Sequence, residues 1–262
     1  MLYGISAFVA KADALINELD QSSDKAGDFF DKVGEFFDKV GAFMGDLWDL
    51  IVKLSPSMLV TLKVFFLTLA LSLPLGLLVA ICRMSKFKPL SWLTRIYISI
   101  MRGTPLMLQL FVVCYGPYYM FDVRLTREWP FTAAIIAFAV NYAAYFAEIY
   151  RGGIEATPLG QYEAAQVLGY NKRQTFIRIV LPQVIKRIIP ATTNEVITLV
   201  KDTSLVYALS IVEMFTKAKM IASANTSMLP YLAAGIFYYV FNYLVAFLME
   251  RAEKKLNYYQ VK

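Results

Sequence analysis

Histidine is absent from all 262 residues, which removes the commonest general base and metal ligand from the chain. Cysteine occurs only twice. Cys82 and Cys114 each lie inside an apolar run, so they read as small core side chains rather than as a disulfide or a metal clip. Charge is scarce too, at 18% of residues against about 25% in ordinary soluble domains. No G-x-x-x-x-G-K-[ST] run is present to cradle phosphates, and no basic run alternates with aromatics as a nucleic-acid surface would. The chain is therefore expected to be no enzyme by itself and to hold no metal or cofactor of its own.

Apolar residues are what it has in excess: 58% of the chain, with a mean hydropathy of +0.51. That is the composition of a membrane protein. A spanning helix needs about 20 mostly apolar residues to cross the hydrocarbon core. Five stretches qualify, over about 58–82, 96–121, 131–150, 188–210 and 229–249. The predicted fold class is an all-α integral membrane protein with five transmembrane helices.

The net charge of +6 hides an asymmetry. Residues 1–54 carry ten acids and five bases, a balance of −5, and the remainder carries +11. Lys and Arg in short connections mark the cytoplasmic side. They cluster after the first span (Arg83, Lys86, Lys88), after the third (Arg151 to Arg187) and after the fifth (Arg251, Lys254, Lys255). The predicted topology places the C-terminus in the cytoplasm and the N-terminus outside.

The first ten residues lack the basic and strongly apolar regions of a cleavable signal peptide. From Asp28 a seven-residue unit repeats, DFFDKVG then EFFDKVG. Phe29, Val33, Phe36, Val40, Phe43 and Leu47 alternate by four and three, the pattern of an amphipathic helix. Gly27, Gly34 and Gly41 recur at one position, which disfavours a coiled coil and favours a helix lying on the outer leaflet; docking on the bundle's own outer face is the alternative. The chain thus divides into an extracytoplasmic extension over 1–54, a membrane domain over 55–256 with a loop at about 152–187, and a cytoplasmic tail over 257–262.

That loop is too polar for lipid and strongly patterned. Thr157 is placed to cap a helix starting at Pro158 and stopping at Gly169, and Asn171 to cap a second helix that ends before Pro182. Glu163, Ala164, Ala165, three residues, Gly169, nine residues, Ile179, one residue, then Leu181 and Pro182 reproduce at full spacing the EAA signature of bacterial ABC importer permeases, which the chain resembles. RGTPLMLQL from Arg102, EIYRGGI from Glu148, LPQVIK from Leu181, Pro190, Asn194 and KDTSL from Lys201 are similar to the polar amino-acid permeases.

The resemblance covers about 57–256. It implies a permease subunit whose EAA loop, with Glu163, Ala164, Ala165 and Gly169 as coupling residues, docks on a separate ATPase that binds ATP and Mg. It further implies a second permease subunit, identical or homologous, and an external substrate-binding protein.

Ionisable residues inside spans are costly and mark candidate sites. Asn194, Glu195, Thr198, Lys201 and Asp202 form one polar face on the fourth span, and Asn141, Tyr145 and Glu148 a second on the third. Thr61, Thr68 and Ser72 form a weaker one on the first. The expected substrate pathway comprises Asn194, Glu195, Thr198, Asn141, Tyr145 and Thr61, with interhelical hydrogen bonding as the plain alternative. Glu148 with Arg151, Lys201 with Asp202, and Arg102 at a break in the second span are expected to be structural or gating residues. A carboxylate at Glu195 favours a basic amino acid (arginine, lysine or histidine), with glutamine or another polar amino acid as the rival. An ATP-independent channel or scaffold is the reading from a different class, but the elaborate loop has no use there.

Overall fold

The computed structural model describes Leu2 to Leu256, with side chains placed over 31–255. The expected tail over 257–262 and the side chains of Gly27, Phe29 and the rest of the chain before 31 lie outside the described residues. The chain separates into two compact units, Met1–Val52 and Lys53–Lys262. Helix α1 is assigned over Leu2–Arg83 and contributes to both.

Within the first unit the described side chains of α1, from Asp31 on, separate by type around the helix. Phe36, Phe37, Val40, Phe43, Met44 and Trp48 are uncovered along one arc, while Asp31, Glu35, Asp38, Asp46 and Asp49 occupy the opposite one. Lys39 pairs with Glu35 one turn back at 2.6 Å, an exposed contact of small energetic weight.

The second unit is built around α4 (Trp129–Glu155), whose alanines let neighbouring helices approach closely. Ala133, Ala134, Ala143, Ala144 and Ala147 are fully buried in it, with Phe138 and Phe146 filling the space between. Helices α2 (Lys88–Gly103), α3 (Leu106–Phe121) and α7 (Leu181–Asp202) pack on α4, and α9 (Leu229–Leu256) packs on α7 and α8 (Met214–Asn225). Thr61, Thr68 and Ser72 of α1 are all fully buried, so the small polar face of the first predicted span turns into the protein.

The second predicted span is broken. Pro105 offers no N–H and forces the preceding Thr104 into an extended conformation, φ −119° and ψ 146°. Helices α2 and α3 consequently meet at 111°. The carbonyl of Met101 is the one Pro105 leaves without its helical donor, and it accepts instead from Gln109 Nε2 and Asn141 Nδ2, each at 3.0 Å.

Among the described residues three helices are long and apolar enough to cross a membrane, or up to 4 if the bent α2–α3 pair is one span. The fourth predicted span, 188–210, is not among them. Helix α7 is too polar, and beyond Asp202 the chain tightens into a 3₁₀ segment over Thr203–Leu209 that stops at Ser210 with φ 59°. Helix α8 was not predicted, since its short, mixed sequence MFTKAKMIASAN carries no apolar period.

Candidate functional site

Two places in the second unit carry the predicted functional residues. One is the knob formed by α5 (Leu159–Val167) and α6 (Lys172–Thr175). Asn171 caps α6 reciprocally: its Oδ1 accepts from the Gln174 N–H, and the Gln174 side chain accepts from the Asn171 N–H, both at 2.9 Å.

Gly169 closes α5 at φ +78°. There the Tyr170 N–H reaches the Ala165 carbonyl and the Gly169 N–H the Gln166 carbonyl, at 3.0 and 2.9 Å. The predicted Thr157 cap does not form. Pro158 occupies the capping position and the buried Thr157 hydroxyl has no partner, because the chain enters α5 one residue later than expected. Nor does the second helix end before Pro182. It widens into a π-helical turn over Phe176–Val180 and runs on into α7, where Pro182 sits in the first turn and costs no interior hydrogen bond of the new helix.

Of the signature residues, Ala165 is fully buried beneath α5, while Glu163, Ala164 and Gly169 are exposed. Leu159, Val167 and Leu168 stand 71%, 88% and 73% exposed around them. Between α5 and α6 a groove of about 540 Å³ is lined by Tyr162, Gln166, Tyr170 and Phe176.

The second place is α7. Ala191, Asn194, Thr198 and Lys201, spaced by three and four, form a face without protein cover, and Glu195 is half-buried at its edge. Arg102, at the end of α2, lies over the Tyr145 ring at 5.3 Å and within electrostatic reach of Glu195. Asp202 accepts a hydrogen bond from the Tyr142 hydroxyl at 2.7 Å, tying α7 to α4. Arg102 thus meets Tyr145 and reaches Glu195 beside the exposed face, while Asp202, two turns further along α7, is held by Tyr142. Glu148 and Arg151 pair at 2.6 Å, and Arg151 also reaches Glu155.

Thr61 and Asn141 are placed elsewhere. Asn141 is buried and donates to Met101 O and, at 2.8 Å, to Gln109 Oε1, so it fastens the α2–α3 break. Thr61 is fully buried and donates to Glu213 Oε2 at 3.4 Å. An apolar cavity of about 300 Å³ beside the break, lined by Ile100, Leu108, Val112 and Val140 with Met101 and Gln109 of this fastening, is lined by none of the predicted pathway residues.

Sequence reasoning missed Glu213, Gln109 and Tyr142. Glu213 is fully buried at the start of α8. Its oxygens accept from the Phe215 and Thr216 N–H groups, the Thr216 and Thr61 hydroxyls and the Tyr238 hydroxyl. Burial pushes this carboxyl above the ordinary glutamate range, opposed by those backbone donors. The one usable signal was for Gln109: a proline in a span orphans a carbonyl, and a polar side chain one turn later is placed to satisfy it.

The chain matches the model of the family described as binding-protein-dependent transport system inner membrane component over residues 72–258. It is 36% identical to the L-cystine transport system permease protein TcyB of Bacillus subtilis (strain 168) over 222 residues, 82% of this chain and 93% of that protein. It is also 36% identical to the arginine transport system permease protein ArtQ of the same organism, over 76% of this chain and 90% of that protein.

Among solved structures, an amino acid ABC transporter with histidines matches with a TM-score of 0.71 and 32% identity, covering 81% of this chain and 96% of that one. The inward-facing MetNI methionine ABC transporter shares the fold, with a TM-score of 0.61 at 18% identity over 81% of this chain and 98% of that one. The chain is an integral membrane protein of the bacterial inner membrane, and it belongs to the family of inner membrane components of binding-protein-dependent transport systems.

Proposed function

We propose that this chain is the permease subunit of an ATP-driven amino-acid importer. The observation that carries the coupling is the α5–α6 knob: three large apolar side chains, Leu159, Val167 and Leu168, stand exposed around Glu163 and the close-approach surface of Ala164. A loop that only connected two helices would gain by burying them; a docking surface needs them uncovered. The partner is a separate ABC ATPase that binds ATP and Mg, and Glu163, Ala164, Ala165 and Gly169 shape the contact. The proposed topology has five spans, counting α7 as one enclosed by a second subunit, with the knob and C-terminus in the cytoplasm and the N-terminus outside. There the apolar arc of the first unit lies on the outer leaflet.

The exposed polar face of α7 cannot face lipid, so it lines the pathway against the second permease subunit, identical or homologous. An external binding protein delivers the substrate. Glu195 favours a basic amino acid, since an ammonium or guanidinium group would neutralise it in a dehydrated cavity. A neutral polar amino acid such as glutamine is the second reading, favoured by Arg102, which already gives Glu195 a positive neighbour.

Glu163→Lys is the direct test of coupling. It should leave the protein inserted and folded while abolishing stimulation of ATP hydrolysis by substrate-loaded binding protein; normal stimulation would refute the assignment. Competition for uptake after Glu195→Gln tests the substrate: an unchanged preference for arginine removes the charge argument.

A further inference from the structure

Pro182 has no N–H to offer and its ring obstructs the carbonyl four residues back, so the helix entering α7 widens. The Leu181 N–H reaches the Phe176 carbonyl, five residues back, across the π-helical turn. Such turns are rare and recur at functional positions. Gln183 sits next to Pro182. Its Nε2 donates to the Ile179 carbonyl inside the wide turn at 2.9 Å and to Gln161 Oε1 on α5 at 3.3 Å. One amide therefore joins the knob to the base of the helix that carries Asn194, Thr198 and Lys201. On the other side of that base, Arg187 donates to the Gly153 carbonyl at the end of α4 at 3.4 Å.

We infer that Gln183 is a positioning residue: it passes displacements of α5 into the π-helical turn, and so into α7 and its polar face. The inference rests on the permease reading and adds the route by which the knob reaches the pathway. Of the two hydrogen bonds that Gln183 makes, the one to Gln161 involves α5 and the one to Ile179 does not, which makes the link to the knob separable from the internal support of the turn.

The test uses the full chain in proteoliposomes with its ABC ATPase and binding protein, with L-arginine, L-glutamine and L-cystine as probes. Gln161→Leu and Gln183→Met should each reduce the stimulation of ATP hydrolysis by loaded binding protein about three- to tenfold, the range one or two lost hydrogen bonds give, and the double variant no further. Gln161→Glu keeps an acceptor for Gln183 and should retain the stimulation. Full stimulation in Gln161→Leu, or an equal loss in Gln161→Glu, overturns the inference.

If the unaltered protein responds to none of the three amino acids, the permease reading is what fails. Hydrogen exchange of the isolated chain then still decides the strut: α5 amides should exchange about three- to tenfold faster in Gln161→Leu than in Gln161→Glu. Equal exchange overturns it.

Discussion

Thr61 and Glu213 are 152 residues apart in the chain, and the Thr61 hydroxyl donates to the Glu213 carboxylate at 3.4 Å. The same threonine oxygen accepts the Met214 N–H at 3.3 Å, so α1 grips the first turn of α8 through two contacts. Five donors converge on the two oxygens of Glu213, including the Tyr238 hydroxyl of α9 at 3.0 Å. An arrangement made wholly of donors is satisfied only by an acceptor, which is why a buried acid, costly by itself, is held here.

Replacing Glu213 with Ala should strand these donors and remove the cap of α8, a loss of roughly 2–4 kcal/mol. Thr61→Val, which removes one donor and one acceptor, should cost about 1 kcal/mol. Thermal unfolding in detergent checks both; equal melting temperatures for Glu213→Ala and the unaltered protein would contradict the hub.

The pH dependence has a defined sign. Because burial raises the Glu213 carboxyl in the folded chain, that chain takes up a proton where the unfolded chain is still ionised. The contribution of this group to stability therefore falls as pH rises through the raised value and recovers toward the ordinary glutamate range. Glu213→Gln cannot titrate, so its deficit in melting temperature should widen on going from about pH 8 to about pH 5. A deficit that narrows would reverse the assignment.

Gly153 marks the crossing of α4 and α7. A Cβ there would stand 2.4 Å from Ile188 Cγ2 and 3.2 Å from Val184 Cγ1. Gly153→Ala should destabilise by roughly 1–3 kcal/mol through overpacking, and Ile188→Ala in the same chain should restore part of the loss. Unfolding of the single and double variants measures the coupling. Additive losses would place the clash elsewhere.

The bend at Thr104 and Pro105 depends on Asn141 and Gln109, both bonded to the Met101 carbonyl. Each interhelical hydrogen bond in a membrane protein is worth about 0.6 kcal/mol, so Asn141→Leu should cost about 1 kcal/mol and show coupling to Gln109→Leu in a double-mutant cycle. Independent effects of the two would sever the proposed fastening.

Solvent access tests the polar face of α7. In a chain with Cys82 and Cys114 replaced by Ala, cysteines at Asn194, Thr198 and Lys201 should react with a membrane-impermeant thiol reagent faster than cysteines at Leu199 and Val200, which are fully buried. Equal labelling of both sets would remove this face from the pathway.

How much was legible in the residues differs from element to element. The spacing Glu163, Ala164, Ala165, Gly169 announced a knob, and Asn171 and Gly169 took up the cap and the left-handed turn that their side chains favour. These are local matters of backbone preference and nearest-neighbour hydrogen bonding. Thr157 shows the limit of the same logic: the helix began one residue later, and no local rule decides between adjacent starting points.

The sequence by itself determined the apolar stretches, the amphipathic repeat, the break at Arg102–Pro105 and the loop chemistry, because each follows from the residues within one or two helical turns. Only the tertiary structure decided which polar residues are enclosed and which are open. Asn141 and Thr61 looked alike to Asn194 and Thr198 by type and spacing, yet the first two are used inside the protein by Met101, Gln109 and Glu213, while the others remain on an uncovered face. A polar side chain in a span must find a partner, and which partner it finds depends on the helix across from it rather than on its own neighbours in the chain.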